Sequence, residues 1–198
     1  MYPDSIKRLI DSFKYLPGIG EKTAERLAFS LLSFDDEILT NFSEAIMSVR
    51  DNIQKCSICN NLSESDKCSI CLDDKRNKNT VFVVEKAKDV FLFERLGIYS
   101  GLYHVLDGVI SPMEGIGPDD ININSLLDRI KNGGIKEVIL ALKPNLEGET
   151  TMQYIIKVLE NYDVKVSKLA TGVPMGTDIE YIDSMTLELA LEERKEVH

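Results

Sequence analysis

Four cysteines in the middle of the chain are the residues best suited to bind a metal. They form two CxxC pairs of the same internal sequence, Cys56-Ser-Ile-Cys59 and Cys68-Ser-Ile-Cys71, separated by eight residues. Each pair can place two thiolates on one side of a tight turn, and two facing pairs supply the tetrahedral four-sulfur shell that zinc prefers. The spacing therefore predicts one structural Zn2+ per chain, held by all four cysteines and without an open position for catalysis.

Two other interpretations of the cysteines remain, namely two redox-active CxxC motifs or four free buried thiols. The chain contains no further cysteine, and the segment from Lys55 to Lys78 is rich in Cys, Asn, Ser and Asp without an apolar face. Such a segment is too polar to fold by burial alone. Zinc binding would supply the missing folding energy, which favours the metal site.

Acidic residues at the ends of two apolar runs form a second candidate site. Glu85 follows VFVV at 81–84, and Glu147 and Glu149 follow VILAL at 138–142. Ligands bind at the carboxyl ends of the strands in open α/β sheets. Three carboxylates that converged there could hold Mg2+, whereas structural or partner-binding roles for the same acids are the alternative.

The remaining reactive side chains do not suggest a nucleophilic catalyst. His104 lies in the apolar stretch YHVL, where a packed ring is expected, and His198 is the last residue. With the cysteines assigned to the metal, no Ser-His-Asp or Cys-His arrangement suggests itself. The sequence also contains no GxxxxGK[ST] phosphate-binding loop.

A third candidate site precedes an N-terminal helix, in the stretch LPGIGEKTAERL at 16–27. Gly18 and Gly20 would let the backbone approach a phosphate, and Lys22 and Arg26 stand four residues apart on one helical face. Glycines at a helix junction can also do no more than allow a tight turn between two helices. This stretch alone therefore leaves open whether it binds a phosphate or only joins the helices.

The elements that must position these sites follow from the hydrophobic pattern. Apolar residues recur at helical spacing in three stretches of the first third of the chain, 6–13, 24–31 and 38–53. Beyond Thr80, strands are predicted at 81–84, 138–142 and 164–169, and helices at 89–96, 123–131 and 150–161. Alternating strands and helices predict a mainly parallel sheet covered by helices.

Composition limits the possible partners and location. The chain of 198 residues has 23 Lys and Arg against 33 Asp and Glu, and 20 of these acids but only 12 of the bases lie in 81–198. An N-terminal surface for nucleic acid therefore remains possible, but it depends on the placement of a few cations. Without a run of about 20 apolar residues or a secretory signal, a cytoplasmic protein with reduced thiols is expected.

The strand-Glu motif followed by a strand and EGE resembles the Toprim domain shared by topoisomerases, primases and certain repair proteins. In catalytic members of that family, an Asp-x-Asp pair precedes the EG and binds the metal. Lys143 and Asn145 stand at the matching positions of this sequence. Because lysine cannot ligate a hard cation and Asn offers only a neutral carbonyl, the resemblance implies a Toprim fold without Toprim chemistry. Glu85, Glu147 and Glu149 would then be vestigial or partner-binding acids.

Taken in order, the features resemble the bacterial recombination proteins of the RecR family over essentially the whole chain. Further matching stretches are GLYHVLDGVISPMEGIGPDDI at 101–121 and LATGVPMGTDIEYIDSMTL at 169–187. The resemblance implies a multi-part α+β fold with a helical hairpin bundle, a small four-cysteine finger, an α/β Toprim domain and a C-terminal extension. The implied parts are a helix-hairpin-helix DNA-binding region at 1–54, a C4-type zinc finger at 55–78, a Toprim domain at 79–174 and a C-terminal oligomerisation segment at 175–198.

The same resemblance implies a non-enzymatic DNA-binding clamp or adaptor in recombinational DNA repair, associated with the nucleoid. Such proteins form rings, often tetrameric, and act with RecO and RecF to promote RecA loading at single-stranded gaps. For this chain it implies a homodimer or homotetramer that contacts single- and double-stranded DNA without sequence preference, through Gly18, Gly20, Lys22 and Arg26.

Two functions from other classes stay open, a Mg-dependent Toprim nuclease or primase-like enzyme, and a protein-binding zinc scaffold without DNA contact. The loop at 172–178 likewise has two interpretations. The family comparison favours intersubunit packing, whereas its residue types fit a simple connection into a last helix at 186–193 equally well.

Overall fold

Three helices form the first of the two compact units into which the chain divides, Met1–Ile53. The structure, a computed structural model, describes residues 2–194. The helices are α1 (Asp4–Lys14), α2 (Glu21–Leu31) and α3 (Asp36–Asn52). The first two pack as a hairpin around Ile10, Ala24 and Ala28, where the two small alanines allow the helices to approach closely.

The third helix of this unit has the predicted apolar stripe but does not bury it. No residue of α3 is fully buried. Its apolar side chains recur along one face, and those of Ile38, Phe42, Ile46 and Val49 are 47% to 65% exposed. The periodicity thus predicts the helix correctly, while the single chain leaves its apolar face open to solvent.

The second unit, Gln54–His198, begins with the cysteine segment. Strands β1 (Gln54–Lys55) and β2 (Leu62–Ser63) pair in antiparallel fashion, and a single helical turn, α4 (Ser69–Leu72), follows. Its own buried cluster consists of three of the four cysteines, with Ile58 and Ile70 packed against them. This small core agrees with the expectation that burial alone does not organise the segment.

A four-stranded parallel sheet forms the rest of the second unit. Its strands are β3 (Asn77–Val84), β4 (Gly101–Val105), β5 (Glu137–Ala141) and β6 (Lys165–Lys168), arranged in the order β4-β3-β5-β6. The helices that follow them are α5 (Ala87–Leu96), α6 (Ile123–Lys131), α7 (Leu146–Leu159) and α8 (Ser184–Glu192). The mixed α/β prediction with a parallel sheet is therefore confirmed.

The alternation of side chains in β3 explains how the sheet is covered. Val81 and Val83 pack into a large core with residues of α6 and α7, whereas Phe82 and Val84 pack into a smaller core with Val90 of α5. The sheet consequently has two helices on one face and one on the other. Because all strands run parallel, their carboxyl ends lie along a single edge, where Glu85 and the start of α7 are found.

Candidate functional site

The four cysteines meet as predicted. One ligand atom from each lies within 4.8 Å of the others, and they are the only group of three or more His, Cys, Asp or Glu residues this close within residues 2–194. The Cys59 and Cys68 sulfurs are 3.5 Å apart, and the backbone N–H of Cys68 donates to Cys56 Sγ at 3.3 Å. This geometry joins the two pairs in one four-sulfur cluster.

The chemistry of this cluster fits Zn2+. Hydrogen bonds among the clustered sulfurs lower the pKa of Cys68 and raise the pKa of Cys59, and a bound metal would replace the shared protons by holding all four sulfurs as thiolates. Three of the cysteines are buried, and all four are free rather than disulfide-bonded. With four sulfurs as ligands, the metal would be coordinatively closed and structural, as the spacing predicts.

The first cysteine pair is also attached to the edge of the large sheet. The backbone N–H of Val105 in β4 donates to the Cys59 carbonyl at 2.8 Å, and the Asn60 side-chain amide donates to the Val105 carbonyl at 3.1 Å. Asn60 has a φ of 60°, a left-handed conformation that Asn tolerates better than most residues. An ion pair between Lys55 and Asp107 at 3.1 Å adds a second link to the end of the same strand.

Glu85 is located at the carboxyl edge of the sheet, as predicted, but two lysines already contact it. The residue is only 7% exposed. Lys143 Nζ lies 3.3 Å from Glu85 Oε2, and Lys86 Nζ lies 3.5 Å from Glu85 Oε1. The positive charge that a buried carboxylate requires is thus supplied by side chains of the protein.

The other two acids do not join Glu85 in a metal site. Glu149 lines a separate hollow together with Lys168, and both Glu147 and Glu149 are half-buried on the first turn of α7. Asn145, the remaining candidate oxygen ligand, caps α7 by accepting from the Gly148 N–H at 2.9 Å. The residues present at this edge do not fit a magnesium ion.

Gly148 explains why the turn before α7 is so tight. A Cβ built on this residue would lie 1.9 Å from the Lys143 carbonyl oxygen, far inside the van der Waals contact distance. The backbone between Lys143 and Gly148 is therefore fixed by close approach as well as by the Asn145 cap. This turn holds Lys143 at the sheet edge beside Glu85.

The hairpin site is open to solvent in the first unit. Gly18 has a φ of +81°, and a Cβ at either Gly18 or Gly20 would meet no atom within 4 Å. Gly20 precedes α2, and Lys22 and Arg26 are both exposed on its first turns. Lys14 pairs with Glu21 at 2.6 Å, which takes up one of the acids beside these cations. The DNA-contact role of these four residues remains a prediction.

His104 is fully buried in β4, as expected of a packed ring. Its Nε2 lies 2.8 Å from the Asn122 carbonyl, which assigns the ring proton to this nitrogen, and burial lowers its pKa to about 4. A neutral imidazole in this position fixes the start of α6 against the end of β4. It has no access to a substrate. The other histidine, His198, lies with the end of the predicted C-terminal segment outside the described residues.

Sequence reasoning missed two features of these sites. It did not assign β4 as a strand, although GLYHV at 101–105 has the short apolar character of a buried strand. It also missed the contact of Lys143 and Lys86 with Glu85. One signal for this contact was available in the sequence. Lys86 and Lys143 each follow a predicted strand within two residues, and the carboxyl ends of neighbouring parallel strands lie close together.

Known families match consecutive parts of the chain. The family models and the residues that they match are the RecR helix-hairpin-helix (6–50), the RecR four-cysteine zinc finger domain (53–73), the Toprim domain (79–170) and the RecR C-terminal region (172–195). The zinc-finger match and the sulfur cluster agree, so Cys56, Cys59, Cys68 and Cys71 hold one structural zinc. Within the described residues, no helix has the length and apolarity needed to cross a bilayer.

Curated relatives are similar over the full length. A protein named "Recombination protein RecR" from Natranaerobius thermophilus is 50% identical over 196 residues, covering 99% of this chain and 98% of the relative. Proteins of the same name from Lactobacillus johnsonii and Staphylococcus aureus are 50% and 48% identical, each covering 99% of both chains. The chain therefore belongs to the RecR family of recombination proteins.

Proposed function

We infer that the protein is a non-enzymatic DNA-binding clamp or adaptor in recombinational DNA repair. The observation that carries this proposal is the full-length similarity to relatives named recombination proteins, through four consecutive family matches. In this role it acts near the nucleoid with RecO and RecF and promotes RecA loading at single-stranded gaps. Its zinc finger and Toprim domain would then serve as scaffold and partner surface.

The hairpin supports sequence-independent contact with DNA. Gly18 and Gly20 leave the backbone open on one side, so its amides can approach a phosphate. Lys22 and Arg26 extend from the following helix turns, and neither has a carboxylate within 4.0 Å among residues 2–194. Their charges are therefore available to phosphates of single- or double-stranded DNA.

The exposed apolar face of α3 supports assembly with further copies of the chain. An amphipathic helix that leaves its apolar stripe in water is an interface candidate, because monomeric proteins rarely expose a contiguous apolar patch. A homodimer or homotetramer would cover this stripe and place several copies of the modest cationic hairpin around one duplex. Several hairpins that face one duplex would add their local positive charges there, while each copy keeps its overall net charge of −10.

The combined substitution of Lys22→Ala and Arg26→Ala tests the DNA contact. We expect weaker binding to single- and double-stranded oligonucleotides and a smaller salt dependence, by up to about two in the slope of log K against log salt per engaged hairpin. Binding is measured by fluorescence anisotropy across a salt series. Lys131→Ala with Lys136→Ala removes the same charge from the other unit and serves as the matched control.

The outcomes separate the proposal from a zinc scaffold without DNA contact. Equal affinity of the hairpin variant and the wild type at every salt concentration would contradict the assignment of the hairpin. Absence of salt-dependent DNA retention in the wild type would favour the scaffold. Zinc content and circular dichroism, measured on each variant, establish that the fold is intact.

A metal-dependent Toprim enzyme is tested separately. We expect no cleavage of DNA and no primer synthesis by the purified protein with Mg2+ or Mn2+, because Glu85 is held by lysines and the other acids do not converge on it. Activity present in the wild type and lost in Glu85→Ala would overturn the non-enzymatic proposal.

A further inference from the structure

Glu85 poses an electrostatic problem at the carboxyl edge of the sheet. It directly follows the central strand β3 and is only 7% exposed. An ionised carboxylate withdrawn from water needs a cation or several hydrogen-bond donors close by. The identity of that cation decides whether this edge of the sheet is a metal site.

Two ammonium groups meet this need, one on each carboxylate oxygen. Lys143 Nζ contacts Oε2 at 3.3 Å, and Lys86 Nζ contacts Oε1 at 3.5 Å. Lys143 comes from the end of β5, the neighbouring strand, so it approaches Glu85 across the sheet. Its side chain is 61% exposed, so this ion pair joins a solvent-exposed lysine to a largely buried acid.

Further carboxylates around Glu85 are too few for a hard cation. A hollow of about 140 Å³ beside it is lined by Glu85, Asp89 and Lys143, with apolar side chains forming the rest of its wall. Asp89 accepts a hydrogen bond from the Lys86 backbone N–H at 3.0 Å, and Asn145 caps α7. The hollow thus combines two acids with a lysine where a third oxygen ligand would be needed.

We propose that the ammonium group of Lys143 is a built-in counter-ion that takes the place of a divalent cation at this edge of the sheet. The strand end is thereby neutralised without metal, and its shape and charge do not change with the concentration of free Mg2+. The proposal implies a latent metal site, because one substitution, Lys143→Asp, exchanges the ammonium for a third carboxylate facing the same hollow.

Manganese binding, followed by electron paramagnetic resonance of free Mn2+, tests the proposal. We expect no saturable site at this edge in the wild type and one new Mn2+ per chain in Lys143→Asp, with Kd of about 0.1–1 mM, as for weak oxygen-ligand sites. The double variant Glu85→Gln/Lys143→Asp should lose the new site. Mg2+ should raise the melting temperature of Lys143→Asp alone, by linkage to the folded state.

A matched control separates this site from a general effect of added negative charge. Lys165 Nζ lies 3.0 Å from Glu137 Oε1 at the opposite edge of the sheet, where Lys165→Asp makes the same charge change beside a more exposed acid. We expect no Mn2+ site there. The proposal is overturned if Lys143→Asp folds without gaining a site, or if the wild type holds a Mn2+ that Glu85→Gln removes.

A double-mutant cycle keeps the proposal testable if Lys143→Asp does not fold. Lys143→Met retains the stem and removes only the charge, so it should destabilise the protein, and Glu85→Gln added to it should restore part of the loss. Stability is measured by urea denaturation. If the two substitutions act additively, Lys143 is not the counter-ion of Glu85 and the proposal fails.

Discussion

Gly148 shows how strictly a single residue can be specified by packing. The Lys143 carbonyl occupies the space that a side chain would need, and the same turn carries the Asn145 cap of α7. The Glu147-Gly148 sequence resembles part of the Toprim motif. In this chain the glycine is explained by packing, independently of metal chemistry. Glycine is required here by close backbone approach rather than by a positive φ.

Substitution of Gly148→Ala should destabilise the second unit by at least about 2 kcal/mol, because the added methyl group forces the turn away from the Lys143 carbonyl. Chemical denaturation gives this value. Gly172→Ala is the matched control, since a Cβ at Gly172 meets no atom within 4 Å and should change stability little. A Gly148→Ala protein as stable as the wild type would show that the turn adapts without cost.

His104 predicts an acid-sensitive contribution to stability. Burial lowers its pKa from 6.5 to about 4, so the folded protein keeps the ring neutral while the unfolded chain takes up a proton first. The contribution is complete above about pH 6.5 and is lost as the pH falls towards 4, by up to about 3 kcal/mol in total and about 2 kcal/mol between pH 7 and pH 5.

The variant His104→Gln measures this contribution, because Gln can still donate to the Asn122 carbonyl but does not titrate in this range. Urea denaturation at several pH values, in buffer supplemented with zinc, should give a shallower loss of stability for the variant between pH 7 and pH 5. Equal slopes for both proteins would assign the acid sensitivity to other groups. Arg129, whose positive charge also lowers the His104 pKa, is present in both the wild type and the variant.

At the scale of elements, the zinc finger and β4 form one structural group. The Cys59 carbonyl and the Asn60 side chain hold Val105, and Ile70 of α4 packs against both the cysteine cluster and the smaller core of the sheet. Zinc-driven folding of the finger is thereby coupled to the edge of the sheet. Among the described residues, the coupling passes through two hydrogen bonds, one apolar contact and the Lys55–Asp107 ion pair.

Removal of zinc should therefore affect β4 before it affects β5. With a chelator, we expect the finger to unfold and the Val105 amide to lose protection against hydrogen exchange, while amides of Val138 and Leu140 in the interior remain protected. Hydrogen exchange by mass spectrometry after EDTA treatment measures this order. Readdition of Zn2+ is the control, and simultaneous loss of protection in β4 and β5 would contradict a local coupling.

Elements with a strong local pattern were the ones that the sequence could predict. The helix at 123–131 and the strands at 81–84 and 138–142 have periodicities or apolar runs that need no tertiary information. The strand β4 was missed because Gly101 and His104 interrupt its apolar run, and because its pairing with β3 is supplied by the rest of the sheet. The cysteine cluster was predictable for the same reason as the helices, since its ligands lie within sixteen residues.

Contacts between distant segments were not predictable in this way. Glu85 and Lys143 are 58 positions apart, and only the parallel pairing of β3 with β5 brings their strand ends together. The sequence indicated that lysine and asparagine replace metal ligands, but not that the lysine neutralises the remaining acid. The boundaries between the four predicted parts of the chain, after residues 54, 78 and 174, stay a prediction.

At the scale of the whole molecule, the uncovered stripe of α3 is the surface that we propose for association between copies of the chain. Substitution of Ile46→Glu places a charge in the middle of this stripe and should lower the oligomeric mass measured by light scattering, because a buried unpaired charge opposes association. Thr40→Glu, with its exposed side chain about half a turn away from the stripe, is the control. A variant of unchanged mass would show that α3 is not the interface.

The attachment of the finger to β4 also limits how the sheet can grow. A sheet with two unprotected edge strands can add further strands indefinitely, as in fibres. A sheet with only one unprotected edge strand can at most pair with one other sheet. In this protein the Cys59 carbonyl and the Asn60 side chain pair with Val105 at the outer side of β4, and in the described chain β6, the other outermost strand, carries Lys165 and Lys168. We therefore expect loss of zinc to release the backbone of Val105 and to leave this side of the sheet open to pairing with a strand of another chain.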